Sequence, residues 1–184
     1  MGFHTFPVER ADALEDPSRY RYCSREELVA ALALDGSETV ADLGSGTGFY
    51  TDDVAPFAGS VYAVDVQSEM HDAYREKGVP ANVQTVTAAV DDLPFGDGEL
   101  DAAFSTMTHH EYASEAAFAE LRRVLASGAR LVTVDWSATG IGEDGPPTDE
   151  RYALEDAAYA LETAGFEVVA GSERPETYRL VASA

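Results

Sequence analysis

Thr39-Val-Ala-Asp-Leu-Gly-Ser-Gly-Thr-Gly-Phe49 is an apolar run that ends in glycines at alternate positions, 44, 46 and 48. Its β-branched and aliphatic residues predict a strand over 39–44, and the glycines allow a backbone approach that a Cβ would block. With a helix expected near 48–56, the stretch reads strand, glycine turn, helix, an arrangement that points helix N–H groups at a ligand. A second apolar run, Ser60-Val-Tyr-Ala-Val-Asp65, ends on an acid 21 residues after Gly44. An acid closing the second strand suits ribose hydroxyls. The two runs together predict a nucleoside-cofactor site.

Outward from this stretch the pattern keeps alternating. Short β-branched runs at 60–66, 83–88, 100–106 and 129–136 predict further strands, with helices near 68–77 and 114–126 between most of them. Such alternation implies a parallel sheet with right-handed crossovers. The end differs. A helix over 149–164 stops at Gly165, and 166–172 and 177–182 read as strands joined only by Glu173-Arg-Pro-Glu176. So short a connection makes a hairpin, and one edge strand is expected to run antiparallel. Residues 1–37 read as an N-terminal helical cap on a core of 38–184. They comprise an irregular start rich in Phe, Pro and Tyr, then a helix opened by the capping box Ser24-Arg-Glu-Glu27 and stopped at Gly36. Length, with no internal repeat, favours one domain over all 184 residues.

Twelve basic residues, of which only Lys77 is a lysine, face 34 acidic ones, for a net charge of −22. The acids are scattered among periodic apolar segments, and 45% of the chain is apolar, which fits a solvated acidic shell over a core. Lysine-poor acidic surfaces suit a cytoplasm of very high salt, where net charge bears on solubility rather than fold. Cys23 is the only cysteine, so no disulfide forms within the chain, no cysteine cluster holds zinc, and a cytoplasmic protein is expected. The longest apolar run, 28–34, is far short of the roughly 20 residues of a membrane span. The start has neither a basic n-region nor an apolar h-region, so neither membrane nor export is expected.

Glycine spacing narrows the cofactor. A dinucleotide fingerprint Gly-x-Gly-x-x-Gly needs glycine where Phe49 stands, and a phosphate loop needs a lysine that is not near. Asp-x-Gly-x-Gly-x-Gly, from Asp42 to Gly48, is left. Further along come Val61-Tyr-Ala-Val-Asp65 with Ser68-Glu-Met70, then Asp91-Asp-Leu-Pro-Phe95 with Leu100-Asp-Ala-Ala-Phe-Ser-Thr-Met-Thr-His-His110. Arg122-Arg-Val-Leu125, Gly128 and Arg130-Leu-Val-Thr-Val134 follow, and then Ala164-Gly-Phe-Glu-Val168. In content and order these five stretches resemble the motifs of class I S-adenosylmethionine-dependent methyltransferases, in the small-molecule, methyltransferase-11-like branch. The resemblance covers almost everything after the N-terminal segment. It implies an α/β fold with a doubly wound, Rossmann-like sheet of seven strands, mostly parallel, with a C-terminal antiparallel hairpin and helices on both faces. It also implies S-adenosylmethionine as cofactor and S-adenosylhomocysteine as product.

The resemblance further implies roles by position. The backbone of Gly44, Ser45 and Gly46 would lie along the amino-acid part and ribose of the cofactor, with Gly48 closing the motif and Asp42 near the amino group. Asp65 would take the ribose hydroxyls and Val66 would lie against the adenine. Ser105 and Thr106, at the carboxyl end of the fourth strand, would border the methionine part. General topology agrees, because ligands of open parallel sheets bind beyond the carboxyl ends of the strands at the switch in order. One position departs from the branch. Four residues before Leu-Pro-Phe it usually has Asp, and here Ala89 stands there, so adenine recognition is expected from backbone at Val90 or from Asp91.

His109 and His110 are the candidate catalytic residues. Adjacent side chains point apart in a strand and about 100° apart in a helix, so a shared ligand, and with it a metal site, is not expected. Packing against the cofactor and a general-base role for one of them both fit this pair. Tyr20-Arg-Tyr22 reads either as part of a lid, with an aromatic face toward a sulfonium and Arg21 on its carboxylate, or as packing at the sheet edge. Thr139-Gly-Ile-Gly-Glu-Asp-Gly-Pro-Pro147 reads either as a substrate wall or as a solvated connection.

The implied reaction is in-line transfer of a methyl group, which needs positioning and no obligatory nucleophile. A small-molecule acceptor is favoured and a protein side chain ranks second. Nucleic acid is disfavoured, because an acidic surface repels phosphate and Ser105-Thr-Met-Thr108 stands where amino-directed nucleic-acid enzymes carry Asn/Asp-Pro-Pro-Tyr/Phe. The rival readings are a non-catalytic module that binds the same cofactor and an NAD-dependent oxidoreductase, the latter opposed by Phe49.

Overall fold

In a strand, Val40 and Asp42 point to one face and Ala41 and Leu43 to the other, and here both faces are buried, as a parallel sheet covered on two sides requires. The computed structural model describes residues 5–184, so the first four residues of the irregular start lie outside the described residues. Seven strands form one sheet: β1 (Thr39–Leu43), β2 (Ser60–Asp65), β3 (Val83–Thr87), β4 (Leu100–Thr106), β5 (Leu125–Trp136), β6 (Glu167–Glu173) and β7 (Thr177–Ser183). Their order is β3-β2-β1-β4-β5-β7-β6, with β1 to β5 parallel.

β7 runs antiparallel to both β5 and β6. The antiparallel strand is therefore an inner one, not the edge strand expected from the hairpin alone. Tyr178, Leu180 and Ala182 explain the placement. All three are fully buried in the core once β7 fills the slot beside β5, whereas β6, largely exposed, can afford the edge.

Helices cover both faces. Leu28 and Leu32 of α1 (Arg25–Leu32), Tyr50 and Val54 of α2 (Phe49–Val54) and Tyr74 of α3 (Ser68–Lys77) pack with Val40 and Phe104 on one side. Tyr112 of α4 (His109–Tyr112), Phe118 and Leu121 of α5 (Glu115–Val124) and Leu161 of α6 (Leu154–Thr163) pack with Leu43 and Ala103 on the other. Each fully buried Leu or Phe in these layers contributes about 2 kcal/mol of hydrophobic stabilisation, which fixes the register of every strand by its period of two.

Several boundaries differ from the periodicity. α1 stops at Leu32, with Ala33 in the left-handed region at φ 52 and its N–H on Val29 O, well before Gly36. That turn sends Leu34 back against the core beneath α1. β5 starts at Leu125, inside the predicted helix, because Leu125 pairs with Leu100 before an irregularity at Gly128. α6 starts only at Leu154: residues 148–150 form a separate 3-10 turn, and a bridge between Ser137 and Tyr152 goes with extended backbone at Arg151 and Ala153.

β1 and β4 are neighbours, yet the chain leaves β1 toward β2 and β3 on one side and β4 toward β5 on the other. The loops diverge at their carboxyl ends and open a crevice. Two 3-10 turns, Val8–Glu15 and Pro17–Arg21, form a strap along this crevice ahead of α1.

Candidate active site

The crevice is a cavity of about 910 Å³, at the upper end of the roughly 300–1,000 Å³ common for small-molecule sites. Its walls come from the glycine turn, the ends of β2 and β4, the segments after β3 and β5, and the N-terminal strap. Tyr22, Gly44, Ser45, Gly46, Asp65, Val66, Ala89, Val90, Asp91, Thr106 and His110 all line it. Asp42, Gly48, Ser105 and His109 do not, and each has a local reason.

Gly44, Gly46 and Gly48 all have positive φ, at 76°, 53° and 80°. At Gly44 a Cβ would stand 2.6 Å from Thr108, which hydrogen-bonds Leu43 O and brings the segment after β4 onto the glycine turn. At Gly48 a Cβ would stand 2.2 Å from the Tyr74 ring. Gly48 thus admits a core tyrosine and faces away from the cavity. The N–H groups of the turn are committed inside the protein: Gly44 and Ser45 donate to Val64 O at 2.8 and 2.9 Å, and Gly46 donates to Asp65 Oδ2 at 2.8 Å. Among the described residues the N–H groups of Gly44, Ser45 and Gly46 therefore have acceptors within the protein, and these three residues meet the cavity with their backbone surface.

Asp65 closes β2 with its other oxygen accepting Gln67 N–H at 2.9 Å. Its carboxylate is therefore fixed at the cavity wall by two backbone donors. Val66, next in the chain, is 54% exposed on the rim, and Ala89, Val90 and Asp91 of the segment after β3 line the same cavity. Ser105 is fully buried against Tyr112 OH at 3.0 Å. Asp42 is buried behind the turn, where Oδ2 accepts Thr51 Oγ1 at 2.6 Å and Oδ1 has no partner among the described residues.

The two histidines part company, as the advance of about 100° per helical residue dictates. His109 turns into the core between Phe118, Tyr112 and Tyr152, with Nδ1 2.9 Å from Tyr178 OH. Burial pulls its pKa down to about 4, so it is neutral. His110 faces the cavity, and Nδ1 lies 3.0 Å from both carboxylate oxygens of Asp135, which also accepts the His110 backbone N–H at 2.6 Å. Burial opposes the charged imidazole, but the hydrogen bond and charge of Asp135 outweigh it and raise the His110 pKa above its usual value. Glu111 lines the same wall with Oε1 4.0 Å from His110 Nε2, and burial pushes its carboxyl up to about 7.

On the far wall Tyr22 packs edge-on against Trp136 at 4.7 Å and donates its hydroxyl to Asp144, which also pairs with Arg21. Asp144 belongs to the glycine- and proline-rich loop after β5, and residues 144–147 form part of the cavity wall. A buried pair holds that loop: Glu176 accepts from Gly142 and Glu143 N–H and from Arg151, which donates to the carbonyls of Asp144 and Pro146. Tyr20 instead bonds Asp53 and packs on Phe49.

Residues 41–133 match the methyltransferase domain family, half of the chain. This chain belongs to that family, as a class I S-adenosylmethionine-dependent methyltransferase. It is 34% identical over 113 residues to the ubiquinone/menaquinone biosynthesis C-methyltransferase UbiE of Ectopseudomonas mendocina, covering 55% of this chain and 43% of that protein. It is 27% identical over 155 residues to a demethylmenaquinone methyltransferase of a Mycobacterium species, covering 84% and 62%. A solved S-adenosylmethionine-dependent methyltransferase from Aquifex aeolicus superimposes with a TM-score of 0.87 at 30% identity, over 96% of this chain and 98% of that one. The chain spans about half the length of the first curated relatives it matches.

The family cofactor fits the wall of this cavity. The cavity has room for a nucleoside and a second small molecule, and the unpartnered Asp42 Oδ1 and Ser45 Oγ are buried at the glycine end. Sequence reasoning passed over Asp135 and Glu111. Asp135 had a signal, a lone acid at the carboxyl end of an apolar strand, where burial demands a partner. Glu111 had none beyond its place after the histidines.

Asp42 leads to a prediction about stability. Burial raises its carboxyl from 3.8 to about 7, so the folded state holds the proton more tightly than the unfolded chain. The associated stability is full below about pH 4 and is lost as pH rises through about 7. Asp42→Asn escapes that loss while keeping an acceptor for Thr51. Urea unfolding should show the variant gaining about 2–4 kcal/mol on the parent between pH 4 and pH 8. A constant difference across that range rejects a neutral buried Asp42.

Proposed function

We propose that this chain transfers the methyl group of S-adenosylmethionine to a small-molecule acceptor, with His110 taking the proton that the acceptor loses. The observation that carries the reading is His110 on the cavity wall with Nδ1 held 3.0 Å from both oxygens of the buried Asp135. When bound, S-adenosylmethionine supplies a methyl group already activated on a sulfonium, and S-adenosylhomocysteine is the product. The protein's part is to bind, orient and exclude water.

Asp65 holds the ribose hydroxyls, the surface of Gly44 to Gly46 supports the sugar and amino-acid part, and Thr106 borders the latter. Val66 covers the adenine, with the backbone of Val90 or the displaced acid Asp91 serving in place of the Asp that Ala89 replaces. With Nδ1–H on Asp135, Nε2 is the nitrogen free to accept, and Asp135 stabilises the imidazolium that forms. Trp136, Tyr22 and Pro146 give the acceptor an apolar wall, which suits a small organic molecule better than a nucleic-acid backbone.

Calorimetric titration with S-adenosylmethionine, S-adenosylhomocysteine and NAD tests the cofactor, and labelled-methyl transfer into metabolite and protein extracts tests the acceptor. Binding of both sulfur compounds and label in the metabolite fraction are expected. Label in the protein fraction alone would replace the acceptor class. Binding with no transfer to any fraction would make the chain a sensing module.

A further inference from the structure

Arg19 is a cation among acids that do not pair with it. Its guanidinium lies at 5.1 Å over both the Phe49 and Tyr50 rings, Nη1 donates to Leu14 O at 2.7 Å, and Nη2 reaches only Met107 Sδ at 3.9 Å. No described carboxylate lies within ion-pair distance, although acids outnumber bases 34 to 12 in this chain. Two acids act on its charge from nearby without pairing with it. Glu15 accepts from Lys77 and Thr47, and Asp42 accepts from Thr51. Arg21, which the sequence offered for a carboxylate, is more than half exposed and already paired with Asp144.

Tyr50 OH donates to Arg19 O and Cys23 O, fixing the strap, and a Cβ on Gly46 would stand 3.0 Å from Leu14, whose carbonyl holds the guanidinium. Arg19 therefore lines the cavity beside Gly46 and Met107. Burial works against its charge and lowers its pKa, a cost that an anionic partner removes.

We infer that Arg19, and not Arg21, binds the carboxylate of the cofactor's amino-acid part, so that the N-terminal strap carries the selectivity for ligands that have this group. The inference rests on the cofactor lying along Gly44 to Gly46 and Asp65. A guanidinium gives a carboxylate two parallel hydrogen bonds, and the flat faces of Phe49 and Tyr50 hold its plane in place.

Calorimetry with two probes, S-adenosylhomocysteine and 5′-methylthioadenosine, tests it, since the second lacks the amino-acid part. Arg19→Met should weaken S-adenosylhomocysteine by about 10- to 100-fold and leave 5′-methylthioadenosine within about twofold of the parent. Arg19→Lys should recover part of the loss, and Arg21→Met should change neither ligand more than about twofold. Unchanged 5′-methylthioadenosine binding also reports an intact fold. Equal loss of both ligands, no loss of either, or a selective loss in Arg21→Met overturns the assignment of Arg19. If the parent protein binds neither probe, the cofactor reading fails, and this inference with it.

Discussion

Asp135→Asn should lower the rate of methyl transfer by about 10²- to 10³-fold, with little change in affinity for S-adenosylhomocysteine. The carboxylate is fully buried and touches His110 twice, at the ring and at the backbone N–H. An amide keeps one acceptor but loses the charge that stabilises an imidazolium. The pH profile separates this role from a structural one. In the parent Asp135 raises the His110 pKa, so a rate that needs the neutral ring should climb as pH rises beyond about 6.5. In Asp135→Asn the climb should begin at lower pH, while the plateau falls. Glu111 titrates alongside, its carboxyl near 7, so Glu111→Gln is measured in parallel to assign the limb. A variant that keeps the parent's plateau and profile removes His110 and Asp135 from the chemistry.

Asp65→Ala should weaken S-adenosylmethionine and S-adenosylhomocysteine at least tenfold. Loss of charge-assisted bonds to ribose accounts for roughly 1.5–3 kcal/mol. The protein loses something as well, because Asp65 accepts from Gly46 and Gln67 and so ties the glycine turn to the end of β2. A fall in melting temperature should accompany the affinity loss, and Asp65→Asn, with one oxygen retained, should lie between. Calorimetry that finds parent-like affinity in the alanine variant removes Asp65 from the ribose site.

Much of the architecture was legible because it is written in local periods. Alternation of strand and helix patterns put β1 to β5 in a parallel sheet, and Ser24 caps α1 at Glu27 N–H as its spacing implies. The hairpin was legible too, but its placement was not. Nothing within 166–183 says that β7 enters beside β5, since that depends on which strand buries more apolar surface against residues some 50 positions earlier.

The site divides along the same line. Glycines 44 and 46, Asp65, Val66 and Thr106 end or follow strands, and any open parallel sheet brings strand ends of that kind together. Gly48 belongs to the same motif, yet it is used to seat Tyr74, a contact between α3 and the glycine turn that no local pattern encodes.

By itself, then, the amino-acid sequence determined the fold class, the family and the cofactor, because strand period, glycine spacing and capping are properties of neighbours in the chain. Tertiary structure alone decided that His110 and not His109 meets the cavity, that Asp135 stands behind it, and that Arg19 has no carboxylate partner among the described residues. Those outcomes depend on burial and on partners 25 to 88 residues apart, set by how the elements pack on the sheet, and sequence proximity carries no information about them.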